Sequence, residues 1–160
     1  MAKATLAAGC FWGVEDRFRQ VPGVSSATVG YTGGHTKNPT YKEVCTDRTG
    51  HAEAVELEFD PKQVSYKELL AVFFQSHDPT QMNRQGPDYG TQYRSAIFFH
   101  DAEQEAVARE AKQSLEKAAV FKRPIVTQIV PAGEFFRAEE YHQRYFEKNG
   151  IQSCHLPSTH

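Results

Sequence analysis

The chain lacks any apolar run near the 18 or more residues that a membrane-spanning helix requires, and its opening stretch MAKATLAAGCFWG is too short in apolar residues for a secretory signal. A cytoplasmic location follows as the expectation. Neither charge is in excess: 18 Lys and Arg stand against 20 Asp and Glu, a formal net charge of -2, so nothing global draws a phosphate backbone or an anionic membrane surface. No nucleic acid and no membrane is expected as a partner. Cysteine is scarce as well. The 3 present, Cys10, Cys45 and Cys154, are odd in number, widely spaced and without a C-x-x-C pair, which fits neither a secreted disulfide framework nor a four-ligand zinc site. The 7 histidines show no H-E-x-x-H and no paired ligand spacing, so no metal is expected. Repeats, low-complexity tracts and interdomain linkers are also missing.

What is there has the composition of an ordinary globular domain. With 160 residues, 39% hydrophobic and 24% charged, the chain suffices for one unit, 1–160, burying about 70% of its unfolded surface. Residues 3–8 predict a strand, and Phe11, Val14, Phe18 and Val21 recur at helical spacing until Pro22-Gly23 stops the helix. A second strand is expected over 24–31, then a loop or short helical turn carrying Tyr41 and Cys45. Residues 52–59 alternate as a strand, and Ser65 with Glu68 forms a capping-box pattern opening a helix through Leu69, Leu70, Phe73 and Phe74. A polar loop over 80–92 precedes a strand at 93–99, a helix from Asp101 to about residue 119, a strand at 125–130 and a last helix at 138–148. Residues 151–160 read as coil. The expectation is an α+β fold, a two-layer α/β sandwich with a mixed, mostly antiparallel sheet, flanking helices and an irregular C-terminal coil.

Chemistry is suggested at two positions. Cys10 stands at a strand-to-helix junction, where unpaired N–H groups and the positive end of the helix dipole favour a thiolate. Glu15 and Asp16 oppose this, so a modest depression of the pKa is expected. A core cysteine packed between Ala8 and Phe11 is the alternative. Glu53 shares strand parity with Val55, Leu57 and Phe59, whereas Glu56 and Glu58 fall on the opposite face. A carboxyl group among apolar side chains keeps its proton near neutrality and becomes a proton donor, unless it reaches a rim arginine or a helix cap. The 80–92 loop brings Asp88 close before Tyr93, and Tyr31, Tyr41, Tyr89 and Tyr93 lie near turns where phenols could bind a substrate oxygen.

Five blocks in register, GCFWG at 9–13, NPTYKEVC at 38–45, TGHAEAVELEFDP at 49–61, GPDYGTQYRS at 86–95 and AEEYHQRYFEKN at 138–149, closely resemble peptide methionine sulfoxide reductases of the A type. The resemblance implies that Cys10 attacks the sulfoxide sulfur, that Phe11 and Trp12 hold the substrate methyl group, and that Glu53 protonates the sulfoxide oxygen. It likewise implies that Tyr41 and Tyr93 bind that oxygen, that Asp88 orients the substrate backbone, and that His142 and Tyr145 contact the substrate. A sulfenic acid on Cys10 would then be resolved by Cys154 to one intramolecular disulfide, which thioredoxin or a similar external dithiol reduces, with no bound cofactor. Gln152-Ser153 stand where many relatives carry Gly-Tyr, and no cysteine follows Cys154. Cys45 is read as structural. The implied substrates are oxidised proteins and peptides, the implied epimer is S, and a monomer is expected.

Two other readings stay open at this point. A cysteine hydrolase would need a base beside Cys10, for which His51 is the candidate. A redox switch or peptide-binding module would pair Cys10 with Cys154 without turnover.

Overall fold

The structure is a computed structural model that describes residues 1–149. From the N-terminus, β1 (Ala2–Ala8) passes through Gly9 and Cys10 into α1 (Phe11–Arg19), and β2 (Val24–Thr32) follows. The one-turn α2 (Tyr41–Val44), β3 (Ala52–Phe59) and α3 (Tyr66–Gln75) come next. The polar loop holds a small hairpin, β4 (Arg84–Gln85) and β5 (Asp88–Tyr89), and a 3-10 turn at Thr91–Tyr93. After β6 (Ser95–Phe99) and α4 (Ala102–Lys117) come β7 (Gln128–Pro131), β8 (Phe136–Arg137), a 3-10 turn at Glu140–His142 and α5 (Tyr145–Lys148).

The main sheet has 6 strands in the order β7-β6-β1-β3-β2-β8. Its pairings are antiparallel except that of β6 with β7, which is parallel. The mixed, mostly antiparallel sheet is therefore as expected. One face carries Leu6, Val29, Val55, Leu57 and Ile97 against Phe11, Val14 and Phe18 of α1, Leu70 and Phe73 of α3 and Ala108 of α4. Its other face carries Ala7, Ala52, Ala54, Ala96 and Phe98, against which Phe135, Val130 and Ala132 pack. Close approach on that side dictates glycine at position 30, where a Cβ would lie 2.4 Å from the Phe136 carbonyl oxygen.

Local signals explain the helix starts. Ser65 and Glu68 form the capping box, the Ser65 hydroxyl accepting the Glu68 N–H at 3.0 Å and the Glu68 carboxylate accepting the Ser65 N–H at 3.1 Å. Asp101 caps α4 by accepting the Gln104 N–H at 2.8 Å.

Three expected elements differ. Residues 91–93 form a 3-10 turn, the Tyr93 N–H donating to the Gly90 carbonyl at 3.0 Å, so the strand begins only at Ser95. The strand expected from 125 starts at Gln128, because the Val126 N–H is committed to the Pro79 carbonyl at 2.8 Å. The continuous helix expected over 138–148 does not form. The Gln143 side chain instead extends the edge of β2, accepting the Val29 N–H at 3.0 Å and donating to the Val29 carbonyl at 2.9 Å, and Arg144 adopts φ 55°, outside helical space. The C-terminal coil and Cys154 lie outside the described residues. Among the described residues, no helix is long and apolar enough to cross a membrane.

Candidate active site

The register Leu6↔Val55 sets the end of β1, and Cys10 just beyond it, beside the start of β3. Gly9, at φ +97°, turns the chain out of the strand, and Cys10 becomes the N-cap of α1. The Phe11 N–H, one of the unpaired donors of that first turn, is accepted by Glu53 Oε1 at 3.1 Å. Glu53 is 1% exposed, and its second oxygen, Oε2, is buried with no partner. Burial raises its carboxyl from 4.5 to about 8; the Phe11 N–H opposes the rise and Asp88 adds to it. At neutral pH Glu53 holds a proton beside the thiol.

The modest depression expected for Cys10 is overturned. The N–H groups of Trp12 and Gly13 favour the thiolate, but burial first and the Glu53 charge second outweigh them and push the thiol up to about 12. Glu15 and Asp16 are not the opposing charges. The buried Glu15 carboxylate accepts the Arg144 N–H at 2.9 Å and Arg19 Nε at 3.4 Å, while Asp16 is bonded to Gln20 at 3.1 Å.

Two phenols converge on this pair. Tyr41 opens α2 and Tyr93 closes the 3-10 turn at Thr91–Tyr93. Burial and then the Glu53 charge raise both hydroxyls, so each stays a protonated donor close to that carboxyl group. Asp88 also raises Glu53, Cys10 and Tyr93, which puts the β5 carboxylate on the same locus.

An aromatic wall completes the site. Trp12 stacks on Tyr145 with ring centroids 3.8 Å apart and planes 9° apart, and it donates its indole N–H to His142 Nδ1 at 2.9 Å. The His142 proton therefore sits on Nε2, which is buried with no partner. Burial lowers the His142 pKa, opposed by Glu139, and its ring packs on Tyr41 at 4.4 Å and on Phe11 at 5.2 Å. All the described site candidates, Cys10, Phe11, Trp12, Tyr41, Glu53, Asp88, Tyr93, His142 and Tyr145, are thus brought to one end of the sheet.

Other candidates fall elsewhere. Both ring nitrogens of His51 are used, Nδ1 accepting the Gly34 N–H at 3.1 Å and Nε2 bonded to the Thr36 carbonyl at 2.7 Å, so it is no base for Cys10. Tyr89 is 67% exposed, with Arg84 4.5 Å over its ring. Cys45 is exposed at the C-cap of α2, with the Tyr41 hydroxyl nearby. Among the described residues, no three His, Cys, Asp or Glu side chains gather as metal ligands. Sequence reasoning missed the residues that hold the frame. Asp47 accepts both the N–H and the hydroxyl of Thr91, latching the Cys45 loop to the turn of Tyr93. Glu139 accepts the Tyr31 hydroxyl at 2.9 Å and the Tyr41 N–H at 3.0 Å. Both lie in segments that carry no periodic signal for such a partner.

A family model described as peptide methionine sulfoxide reductase matches residues 2–160. The chain belongs to the peptide methionine sulfoxide reductase family. It is 65% identical over 151 residues to the peptide methionine sulfoxide reductase MsrA of Methanosarcina acetivorans, covering 94% of this chain and 80% of that one. Among solved structures, Mxr1 from Saccharomyces cerevisiae in reduced form aligns with a TM-score of 0.90 at 36% identity, over 98% of this chain and 90% of that one. The same yeast protein in complex with Trx2 aligns with a TM-score of 0.64 at 27% identity, over 90% and 84% of the two chains. As a member of the reductase family, this enzyme carries out the thiol-dependent reduction of methionine sulfoxide to methionine.

Proposed function

We propose that Cys10 is the nucleophile and Glu53 the acid in reduction of peptide-bound methionine-S-sulfoxide, with Tyr41 and Tyr93 donating hydrogen bonds to the sulfoxide oxygen. The observation that carries this reading is the partnerless, buried Oε2 of a carboxyl group that keeps its proton at neutral pH beside the thiol. A sulfoxide is a poor electrophile until its oxygen gains a proton, so acid and nucleophile must face one sulfur. The high thiol pKa fits this order of events: the resting pair is neutral, and positive charge developing on the protonated sulfoxide draws the thiolate out only when substrate is present.

The balance closes without a net proton. Glu53 gives its proton to the oxygen, the Cys10 sulfur attacks the sulfoxide sulfur, and the thiol proton restores Glu53; the hydroxyl then passes from the methionine sulfur to the Cys10 sulfur as the transient S–S bond breaks, so that methionine leaves and Cys10 is a sulfenic acid. Phe11 and Trp12 enclose the methyl group, Asp88 accepts from the substrate backbone, and His142 and Tyr145 line the wall. Cys154 then displaces the oxygen as water to form a disulfide with Cys10, and an external dithiol of the thioredoxin kind restores both thiols, a partner supported by the Mxr1–Trx2 complex. The whole chain acts as one catalytic unit, a cytoplasmic monomer without a bound cofactor, on oxidised proteins and peptides.

The test is a racemic methionine sulfoxide peptide with excess dithiol, followed by chiral chromatography: the S epimer disappears and the R epimer persists. Glu53→Gln, checked for fold by circular dichroism, loses about 10²–10⁴-fold in rate. A folded Glu53→Gln enzyme of parental rate overturns the acid assignment.

A further inference from the structure

We propose that Glu139 is a positioning residue for the sulfoxide oxygen: its carboxylate ties the Tyr41 backbone to the Tyr31 hydroxyl and so fixes where the Tyr41 hydroxyl stands. The inference rests on the reading of Tyr41 as an oxygen ligand.

A helix of one turn such as α2 does not hold itself together, since nucleation is unfavourable and the first N–H groups lack internal partners. The Thr40–Glu43 capping box satisfies the N–H groups of Thr40 and Glu43, at 2.9 and 3.2 Å. The Tyr41 N–H is left over, and Glu139 Oε2 takes it at 3.0 Å. The other end of the tie is rigid. Tyr31 is fully buried, packs on Phe11 at 5.7 Å between ring centroids, and sits directly across from Glu53 in the β2–β3 ladder. Its hydroxyl donates to Glu139 Oε1 at 2.9 Å. One carboxylate thus links the strand pair that holds the acid to the helix that holds the phenol.

The carboxylate gives one oxygen to each donor. Burial works against ionisation of Glu139, but the Tyr41 N–H, its own N–H and the Tyr31 hydroxyl outweigh that and hold its carboxyl below the usual range. A glutamine can keep both contacts, its oxygen accepting the Tyr41 N–H while its NH₂ donates to a Tyr31 hydroxyl turned to accept, whereas a methionine of similar length can take neither donor. His142 restrains the Tyr41 ring from the side; Glu139 sets the height of the backbone from which that ring projects. Misplacement of a group that acts on charge in the transition state reduces kcat more than KM.

The experiment measures kcat and KM for Glu139→Met, Tyr41→Phe and the double variant on a methionine sulfoxide peptide. Expected are a loss of about tenfold or more in kcat with little change in KM for Glu139→Met, a loss for Tyr41→Phe, and no further loss when the two are combined. Tyr31→Phe, which removes one donor and keeps the buried ring, is expected to lower kcat in the same way, including its silence in the Tyr41→Phe background, and it serves if Glu139→Met does not fold. Parental kcat in folded Glu139→Met, or losses that multiply in the double variant, overturns the positioning role while leaving Tyr41 in place. Parental kcat in Tyr41→Phe overturns the oxygen-ligand reading and the inference with it.

Discussion

On the proposed mechanism Glu53 carries the pH dependence of the rate, and its buried carboxyl also makes stability depend on pH. Its carboxyl is raised by burial from 4.5 to about 8, so the folded protein keeps a proton that the unfolded chain releases. The resulting stability is fully present below about pH 4.5 and is lost as pH rises through about 8. Glu53→Gln removes this dependence. Its melting temperature is therefore expected to gain on the parent's as pH goes from 5 to 9, and an equal offset across that range would show that Glu53 titrates normally. The rate follows the same proton: kcat/KM is expected to be level below about pH 8 and to fall about tenfold per pH unit above it, as the acid is lost. A level profile to pH 9.5 would remove Glu53 from the proton transfer. The sequence made this residue legible because strand parity is a local rule, and parity with Val55 and Leu57 was enough to turn Glu53 inward. The thiol was not legible in the same way. A helix N-terminus is a local feature that lowers a pKa, whereas the burial and the Glu53 charge that reverse it for Cys10 arise from chain 43 residues away in sequence.

Among the elements, the junctions decide whether the site assembles. Gly9 connects nucleophile and sheet at φ +97°, and a Cβ there would lie 2.9 Å from Cβ and Cγ of Gln85. Gln85 grips the Asp78 backbone at both ends, its Oε1 accepting the N–H and its Nε2 donating to the carbonyl, each at 2.9 Å, and it anchors the β4–β5 hairpin that bears Asp88. Gly9→Ala is expected to destabilise by about 1–3 kcal/mol through the backbone alone and, by displacing Gln85 and with it Asp88, to raise KM for peptide substrates. Thermal unfolding and steady-state kinetics check both effects; unchanged KM in a destabilised variant would separate the hairpin from substrate binding. Strands 52–59 and the Ser65 helix were readable because alternation and capping lie within a few residues of one another. The segment 138–148 was not, since Glu139 and Gln143 spend their side chains on Tyr31, Tyr41 and Val29, more than 95 residues back along the chain. A periodic apolar pattern in such a segment reports which side is buried and says nothing about polar side chains replacing helical bonds.

At the scale of the molecule, the sheet order β7-β6-β1-β3-β2-β8 collects chemistry from distant stretches at one end: the thiol after β1, the acid at the start of β3, one phenol before β3, the other before β6, and the aromatic wall after β8. None of these elements supplies a second thiol beside Cys10 from within its own strand or helix, so on the proposed mechanism the sulfenic acid is met by a thiol from another part of the chain. Cys154 and the exposed Cys45 are the two available. Burial raises the Cys45 thiol, with the Glu53 charge adding to the rise and the nearby Tyr41 hydroxyl opposing it, which leaves Cys45 a weak attacking thiol at neutral pH. One equivalent of methionine sulfoxide peptide given to the reduced enzyme without dithiol is therefore expected to leave a Cys10–Cys154 disulfide by peptide mapping. Cys154→Ser is expected to leave a sulfenic acid on Cys10 that dimedone captures, and to lose thioredoxin-dependent turnover by about 10-fold or more while its first turnover stays at the parental rate. A Cys10–Cys45 bridge in the parent, or full thioredoxin-dependent turnover by Cys154→Ser, would transfer the resolving role to the α2 loop and make Tyr41 the group that gates it.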